Sequence, residues 1–190
     1  MSITDIIPDI HGQAEKLRLA LQNLGWRCHG TKWSHRDPDR KIVFLGDYID
    51  RGSENAAVIR TVRELIESTC ATAIMGNHEL NAIHYHTIDP ETNKPLRKHD
   101  DDNYKQHKSF LAEFPLGADR TKDVLNWMKG LPLFIETEDF RVVHAAWIQP
   151  IIDDLRRQTV DGVLSEHQLI RAGRKGQPLY TLAERILKGP

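Results

Sequence analysis

Three short polar clusters in the first half of the chain contain residue types that bind divalent cations. They are Asp9-Ile10-His11-Gly12, Gly46-Asp47-Tyr48-Ile49-Asp50-Arg51-Gly52 and Gly76-Asn77-His78-Glu79. Carboxylate oxygens combined with imidazole nitrogens suit Mn, Fe, Zn or Ni. The third cluster also stands at a predicted helix start, where free peptide N–H groups favour an anion. The clusters therefore indicate metal chemistry beside an anion-binding position.

Each cluster sits between a predicted β-strand and a predicted α-helix. Strands are predicted over 2–7, 41–45 and 71–75, and helices over 13–24, from a cap at Ser53 onward, and over 79–86. The second helix has an apolar stripe at helical spacing, formed by Val58, Ile59, Val62, Leu65 and Ile66. Three successive β-to-α steps imply parallel strands with helices on the sheet faces. Because the carboxyl ends of such strands open on one crevice, we expect the three clusters to meet there.

Each cluster taken alone also has an ordinary structural explanation. An aspartate near a strand end can cap a helix, Asn77-His78 can form a turn, and Asp50-Arg51 can be a surface ion pair. Recurrence of such clusters at equivalent points of three successive units favours one shared site over three separate structural roles.

In this order and spacing the clusters resemble the motifs of the calcineurin-like metallophosphoesterases. The resemblance is to the phosphoprotein phosphatase branch, which includes bacterial serine/threonine phosphatases and symmetrical diadenosine tetraphosphatases. It spans residues 9–79 and extends to Arg141-Val142-Val143-His144-Ala145-Ala146, where the family more usually has glycines after the histidine. It implies an α/β fold with a metallophosphoesterase-like core of mixed sheets in αββα layers and flanking helices.

The resemblance also implies a role for each site residue. The implied metal ligands are Asp9, His11, Asp47, Asn77 and His144, with Asp47 bridging two divalent cations. Manganese is the first expectation for these cations, and Fe, Zn, Ni or Mg are the others. His78 is the implied proton donor to the leaving oxygen, Asp50 holds its imidazole, and Arg51 and Asn77 bind the phosphate. The implied reaction is direct in-line attack on phosphorus by a metal-bound hydroxide.

The resemblance leaves the substrate open, because the same core serves several substrates. Hydrolysis of a phosphomonoester such as phosphoserine or phosphothreonine is the leading hypothesis. Hydrolysis of a dinucleoside polyphosphate such as diadenosine tetraphosphate is the alternative. A hypothesis of another class is a catalytically inactive binding or regulatory module that keeps the fold and has lost turnover.

Length and composition fit one folded domain over residues 1–190. Hydrophobic residues make up 39% and charged residues 28% of the 190, with a net charge of -1. Near-neutral charge argues against nucleic acid as a partner, and no apolar stretch approaches the roughly 20 residues of a membrane span. The N-terminus resembles no export signal, so we expect a cytoplasmic protein whose partner is a phosphorylated substrate. The oligomeric state stays open.

The second half of the chain has weaker patterns. Residues 87–106 are predicted to form a polar surface insertion within the domain. Helices are predicted over 107–114, 121–130, 151–158, 165–172 and 178–187, and a hairpin from 133–136 and 141–144. We expect Glu79 to cap or brace its helix and His84 and His86 to pack away from the site, while His107 belongs to no motif.

Two features of the resembled family have no counterpart after His144. Family members have a further metal-binding histidine, usually after a glycine, and a second phosphate-binding arginine, but no Gly-His pair follows His144 here. We therefore expect that the sequence is the front portion of a longer protein. The alternative is a natively short chain with a weak or incomplete metal pair.

Overall fold

Residues 3–189 are described by a computed structural model, which leaves Met1, Ser2 and Pro190 outside the described residues. The elements in chain order are β1 (Thr4–Ile7), α1 (Ala14–Asn23), β2 (Arg27–His29), β3 (Lys32–Ser34), β4 (Lys41–Phe44), α2 (Asn55–Glu67), β5 (Ala71–Ala73), α3 (Asn77–His86), α4 (Asp101–Glu113), α5 (Asp119–Lys129), β6 (Phe134–Glu136), β7 (Arg141–Val143), α6 (Gln149–Gln158), α7 (Glu166–Gly173) and α8 (Pro178–Lys188).

A parallel sheet in the order β1-β4-β5 forms the centre of the fold. The central strand β4 buries Ile42, Val43 and Phe44, as expected of a strand that is covered on both faces. In α2 the buried residues Val58, Ile59, Val62 and Leu65 belong to the predicted apolar stripe. The three predicted β-to-α steps are therefore present, and the α/β class with flanking helices is confirmed. Among the described residues the strands form one parallel sheet and two antiparallel pairs.

The loops after β1 and β4 are joined through their backbones. The N–H groups of Ile10 and His11 both donate to the carbonyl of Asp47, at 3.0 and 2.9 Å, and Gly12 N–H donates to the carbonyl of Tyr48 at 2.8 Å. These bonds place the first two polar clusters side by side at the carboxyl edge of the sheet. The meeting of the loops expected from the topology is confirmed.

The first turn of α2 differs from the prediction, because Ser53 is not its cap. Glu54 occupies the N-cap position and makes no side-chain capping bond. Glu113, at the end of α4, instead accepts the N–H groups of Asn55 at 2.7 Å and Ala56 at 3.0 Å. A carboxylate from a distant helix thus satisfies the free donors that Ser53 was expected to satisfy.

The segment predicted as a surface insertion, 87–106, is irregular before Asp101 and helical from Asp101 onward, and its assignment as an insertion stays a prediction. Helix α4 begins at Asp101, where the side chain of Asp100 accepts the N–H of Asn103 at 2.9 Å, so the irregular segment ends at Asp100. That segment is also anchored, since buried Asp89 accepts two hydrogen bonds from the Arg174 guanidinium at 3.0 and 2.6 Å. The assignment of 1–190 to one domain stays a prediction.

The antiparallel pair of β2 and β3 is absent from the sequence predictions. Each strand has three residues, and Trp33 is the buried side chain of the pair. Strands this short, with five of six side chains exposed, carry no alternating apolar pattern.

The predicted hairpin in the second half is confirmed as β6 and β7, which pair antiparallel from Phe134 opposite Val143 to Glu136 opposite Arg141. This hairpin ends immediately before His144. The later helices lie within a few residues of their predicted ranges. Among residues 3–189, no helix has the combination of length and apolar character that crossing a bilayer requires.

Candidate metal centre

The Asp47 carboxylate lies at the point where the three loops meet. Its Oδ2 is 3.7 Å from His11 Nε2, 3.9 Å from His78 Nε2 and 3.5 Å from His144 Nε2. Asp47 is only 3% exposed, so the carboxylate faces these imidazoles in an environment that excludes most water. Asp47 Oδ2 thus lies 3.5 to 3.9 Å from the Nε2 atoms of three histidines.

The two remaining predicted ligands complete this arrangement. Asp9 Oδ2 lies 3.6 Å from His11 Nε2, and Asn77 Oδ1 lies 3.1 Å from His144 Nε2. Asp9 is exposed, which puts it at the open side of the centre. The structure therefore brings together all five side chains that the sequence suggested as ligands.

Backbone carbonyls fix the ring orientation of two of the histidines. His11 Nδ1 lies 3.0 Å from the carbonyl of Ile49, and His144 Nδ1 lies 2.6 Å from the carbonyl of Leu45. A carbonyl can only accept, so each Nδ1 carries a hydrogen and each Nε2 is directed toward Asp47. When Nε2 carries no proton, this orientation lets it bind a metal.

His11 Nε2 is buried and has no hydrogen-bond partner among the described residues. Buried polar atoms are nearly always satisfied in folded proteins, and an unpaired one calls for an unseen partner. Its neighbours are the carboxylates of Asp9 and Asp47, so a divalent cation fits this position both in charge and in ligand type.

The candidate ligand atoms fall into two overlapping groups. Within each group the atoms lie within 4.8 Å of one another, and the groups are His11, Asp47 and His78, and Asp9, Asp47 and His144. Asp47 belongs to both, which agrees with a bridging carboxylate. The family resemblance implies that His78 is a proton donor and no ligand, so the position of His78 Nε2 adds an alternative that metal titration can test.

Neighbouring side chains of opposite charge shift the pKa values within the cluster. Burial alone would raise the pKa of Asp47, but the neighbouring His144 and His78 lower it below its usual value. Burial would lower the pKa of His144, yet the adjacent Asp47 carboxylate raises it to about 9. Both shifts have one common cause, which is the attraction between the Asp47 carboxylate and the protonated His144 ring.

Backbone strain is concentrated in the same loops. Four of the seven non-glycine residues with positive φ among the described residues are His11 at 47°, Asp47 at 54°, Asp50 at 70° and Arg51 at 63°. Left-handed backbone is unfavourable for such residues and persists where the surrounding structure enforces it. Its concentration here fits a site in which side-chain direction matters more than local backbone energy.

Two glycines allow the second and third loops to touch. A Cβ on Gly46 would lie 2.4 Å from Gly76 N, and a Cβ on Gly76 would lie 2.3 Å from Asp47 Oδ1. Gly46 also has a φ of 96°, which L side chains rarely adopt. The position of Asp47 therefore depends on the absence of side chains at both glycines.

Glu79 braces these loops as well as its own helix, which confirms and extends the sequence expectation. Its carboxylate accepts the N–H groups of Asp47 at 2.8 Å, Tyr48 at 2.8 Å and Gly76 at 2.9 Å. Complete burial, together with the charge of Asp47, raises the pKa of Glu79 to about 7. Glu79 thus holds the backbone of Asp47 in place, and this role is structural.

His78 and Asp50 form a buried pair beside the cluster. His78 Nδ1 lies 2.7 Å from Asp50 Oδ2, and the carboxylate accepts the ring hydrogen. Burial would lower the pKa of His78, but the bond to Asp50 raises it. The imidazole is therefore oriented with its Nε2 toward the centre, where it can hold a proton.

A known family model matches most of the chain. Residues 4–180 match the family model described as calcineurin-like phosphoesterase. The chain belongs to the calcineurin-like phosphoesterase family. The match takes in all three loops, the hairpin β6–β7 and helices through α7.

Two curated relatives of this phosphoesterase chain carry related names. The asymmetrical bis(5'-nucleosyl)-tetraphosphatase PrpE of Oceanobacillus iheyensis is 40% identical over 74 residues, covering 39% of this chain and 29% of that protein. The symmetrical bis(5'-nucleosyl)-tetraphosphatase of a Marinomonas species is 29% identical over 158 residues, covering 83% of this chain and 48% of that protein. The chain thus spans about half or less of the length of these relatives.

Solved structures show the same fold at low sequence identity. A serine/threonine phosphatase from Saccharomyces cerevisiae superposes with a TM-score of 0.54 and 15% identity, covering 94% of this chain and 47% of that one. This similarity confirms the phosphoesterase fold and says nothing further about the reaction.

The structure bears on two residues, Arg51 and His107, in different ways. Arg51 is exposed, and within residues 3–189 its side chain forms no hydrogen bond or ion pair, so the alternative of an Asp50–Arg51 ion pair is not observed there. His107, which belongs to no motif, is buried and lies 2.9 Å from Asp50 Oδ1 through its Nδ1. The available signal was the spacing of His107, Phe110 and Phe114 on one helical face.

Proposed function

We propose that this chain is the catalytic core of a metal-dependent hydrolase that cleaves dinucleoside polyphosphates such as diadenosine tetraphosphate. The observation that carries the proposal is the convergence of the side chains of Asp9, His11, Asp47, Asn77 and His144 on one point. Family membership supports phosphoric ester or anhydride hydrolysis as the reaction class.

The five converging side chains would hold two divalent cations, with manganese as our first proposal. Mixed oxygen and nitrogen ligands fit manganese, iron, zinc or nickel better than an oxygen-only site would. Such cations supply an activated water near neutral pH and neutralise charge on the phosphate oxygens. Asp47 is the proposed bridge, because its carboxylate belongs to both groups of candidate ligands.

The remaining polar residues of the centre have separate proposed roles. Arg51, which is exposed, would hold two oxygens of the phosphate that is cleaved, and the Asn77 amide would contact the same phosphate. His78 would donate a proton from Nε2 to the leaving oxygen. Asp50 would keep that ring in place through its bond to Nδ1 at 2.7 Å.

The candidate metal ligands would be the same for a phosphomonoester and for a dinucleoside polyphosphate. The proposed substrate therefore rests on the sequence relatives. Relatives at 40% and 29% identity are named bis(5'-nucleosyl)-tetraphosphatases, which favours the alternative of the sequence analysis over its leading phosphoserine or phosphothreonine hypothesis. The structural likeness to phosphatases lies at 15% identity and supports the fold. A cytoplasmic location stays part of this proposal.

A side-by-side assay tests this function. The purified chain with added Mn²⁺ is given diadenosine tetraphosphate, a phosphoserine peptide or p-nitrophenyl phosphate, with Asp47→Asn as the control for contaminating hydrolases. We expect kcat/KM for the dinucleotide to exceed that for the peptide by at least about tenfold. Formation of ADP alone would indicate cleavage at the central anhydride, and ATP with AMP would indicate asymmetric cleavage.

Two other results would overturn the proposal. A preference for the phosphopeptide would restore the phosphomonoester hypothesis. Absence of turnover of all three substrates by a metal-loaded chain would favour the binding or regulatory module.

A further inference from the structure

Asp50 uses both carboxylate oxygens to bind two different histidines. Oδ2 lies 2.7 Å from His78 Nδ1, and Oδ1 lies 2.9 Å from His107 Nδ1. Asp50 is 2% exposed and His107 is 3% exposed, so water does not compete for these bonds. Because a carboxylate oxygen accepts, both imidazoles donate their Nδ1 hydrogen to it.

His107 is held rigidly on α4, 57 residues from Asp50 in sequence. Its ring stacks on Phe110 with centroids 4.8 Å apart and an interplanar angle of 22°, and it lies 5.1 Å from the Tyr85 ring. Its Nε2 faces His86 Nε2 at 3.4 Å. Contacts with Phe110, Tyr85 and His86 therefore hold the His107 ring in addition to its bond to Asp50.

The second donor matters because a carboxylate held through one oxygen can still rotate about its Cβ–Cγ bond. With both oxygens engaged, the plane of the Asp50 carboxylate is fixed, and with it the plane of the His78 ring. The backbone at Asp50 has a φ of 70° and is held by the side chain of Asn55, whose Oδ1 accepts the Asp50 N–H at 2.7 Å.

We propose that His107 is a positioning residue of this phosphoesterase, which acts by fixing the Asp50 carboxylate that orients His78 toward the leaving oxygen. This inference rests on the proposed function for its catalytic consequence, while its structural part concerns the orientation of His78 alone. It gives α4 a part in the site although α4 holds none of the candidate metal ligands. Burial opposes ionisation of Asp50, but the bonds from His107 and His78 lower its pKa, so the carboxylate stays anionic.

Two substitutions at the same position separate hydrogen bonding from packing. His107→Phe keeps an aromatic ring against Phe110 and Tyr85 but removes the Nδ1 donor. His107→Asn removes the ring but keeps an amide N–H at about the distance of Nδ1 from the backbone. A purely structural role predicts that His107→Asn is the more damaging change, and the positioning role predicts the reverse.

Steady-state kinetics with aryl phosphates give the first readout. In His107→Phe we expect kcat for phenyl phosphate to fall roughly 10- to 100-fold with little change in KM. For 2,4-dinitrophenyl phosphate, which needs no proton on its leaving oxygen, kcat should fall less than about threefold. His107→Asn should stay within about threefold of the wild type on both substrates. Equal losses on both substrates, or a larger loss in His107→Asn, would overturn the proposal.

The second readout does not depend on turnover. Long-range ¹H–¹⁵N spectra of the histidine rings, recorded on protein equilibrated with diamagnetic Mg²⁺ at a pH at which the His78 ring is neutral, report the tautomer of His78. We expect one tautomer, with hydrogen on Nδ1, in the wild type and in His107→Asn, and a mixture in His107→Phe. An unchanged His78 signal in His107→Phe would overturn the positioning role. If the wild type hydrolyses nothing, the proposed function fails, and this spectrum still decides whether His107 orients His78.

Discussion

Glu79 Oε2 accepts the backbone N–H of Asp47 at 2.8 Å, across 32 residues of sequence. The same oxygen accepts the N–H of Gly76 at 2.9 Å, so one buried carboxylate fixes the relative position of the second and third loops. Asp47 is the residue on which the candidate ligands converge. The geometry of the metal centre therefore depends on a residue that lies outside the groups of candidate ligands.

Removal of this carboxylate should weaken both the fold and the centre. In Glu79→Ala three buried N–H groups lose their acceptor, and we expect the free energy of unfolding to fall by about 3 kcal/mol. Affinity for Mn²⁺ should fall as well, because Asp47 is no longer held in place. Chemical denaturation and calorimetric titration measure the two effects. Glu67→Ala, at an exposed position of α2, should change stability by less than about 0.5 kcal/mol; equal effects of the two variants would refute the bracing role.

Close approach at Gly76 gives a prediction of its own. An alanine Cβ there would lie 2.3 Å from Asp47 Oδ1, so Gly76→Ala must displace the carboxylate, and we expect a loss of about 1–3 kcal/mol together with weakened metal binding. Gly130→Ala is the matched control, because its Cβ would meet Trp127 O at an ordinary 3.4 Å. Unchanged metal affinity in Gly76→Ala would show that the tight contact does not control Asp47.

His84 predicts how stability responds to acid. Its Nε2 donates to the carbonyl of Leu169 at 2.9 Å, and burial lowers its pKa from 6.5 to about 4. Protonation then favours the unfolded chain, so this contribution is complete above pH 6.5 and is lost as pH falls toward 4, by up to about 3 kcal/mol. His84→Gln keeps an N–H donor but does not titrate. The difference between the two proteins in unfolding free energy should change over this pH range, and a constant difference would refute the assignment.

A substitution of His78 tests whether this residue is a proton donor or a metal ligand. His78→Asn should leave the number of bound metals unchanged and lower kcat for phenyl phosphate by roughly 10²- to 10⁴-fold. Its effect should be smallest for substrates with good leaving groups. His167→Asn, at an exposed position of α7, should leave kcat unchanged. Loss of a metal from His78→Asn would instead make His78 a ligand, in line with its distance of 3.9 Å from Asp47 Oδ2.

Much of the centre could be predicted from sequence because its ligands are encoded locally. Asp9, Asp47 and Asn77 each follow a short strand within a few residues, and parallel strands bring such positions to one edge. His144 follows β7 in the same way, although its place beside Asn77 required the family pattern.

What the sequence did not reveal are contacts between distant segments. Glu113 caps α2 from 58 residues away, and His107 reaches Asp50 from 57 residues away. Neither contact can be predicted from the local sequence. A polar residue on a largely apolar helix face gives the same sequence pattern whichever distant residue it binds. The start of α4 at Asp101 was missed for a related reason, since its first turn is polar and exposed.

Metal stoichiometry tests the central claim most directly. Isothermal titration of the purified chain with Mn²⁺, checked by elemental analysis, should give two bound ions per chain in the wild type. In Asp47→Asn binding should be lost, whereas Asp139→Asn, which changes the same group type at an exposed loop position, should bind two ions like the wild type. A wild-type chain that binds no Mn²⁺, or an Asp47→Asn variant that binds two ions with unchanged affinity, would contradict a dinuclear centre built on Asp47.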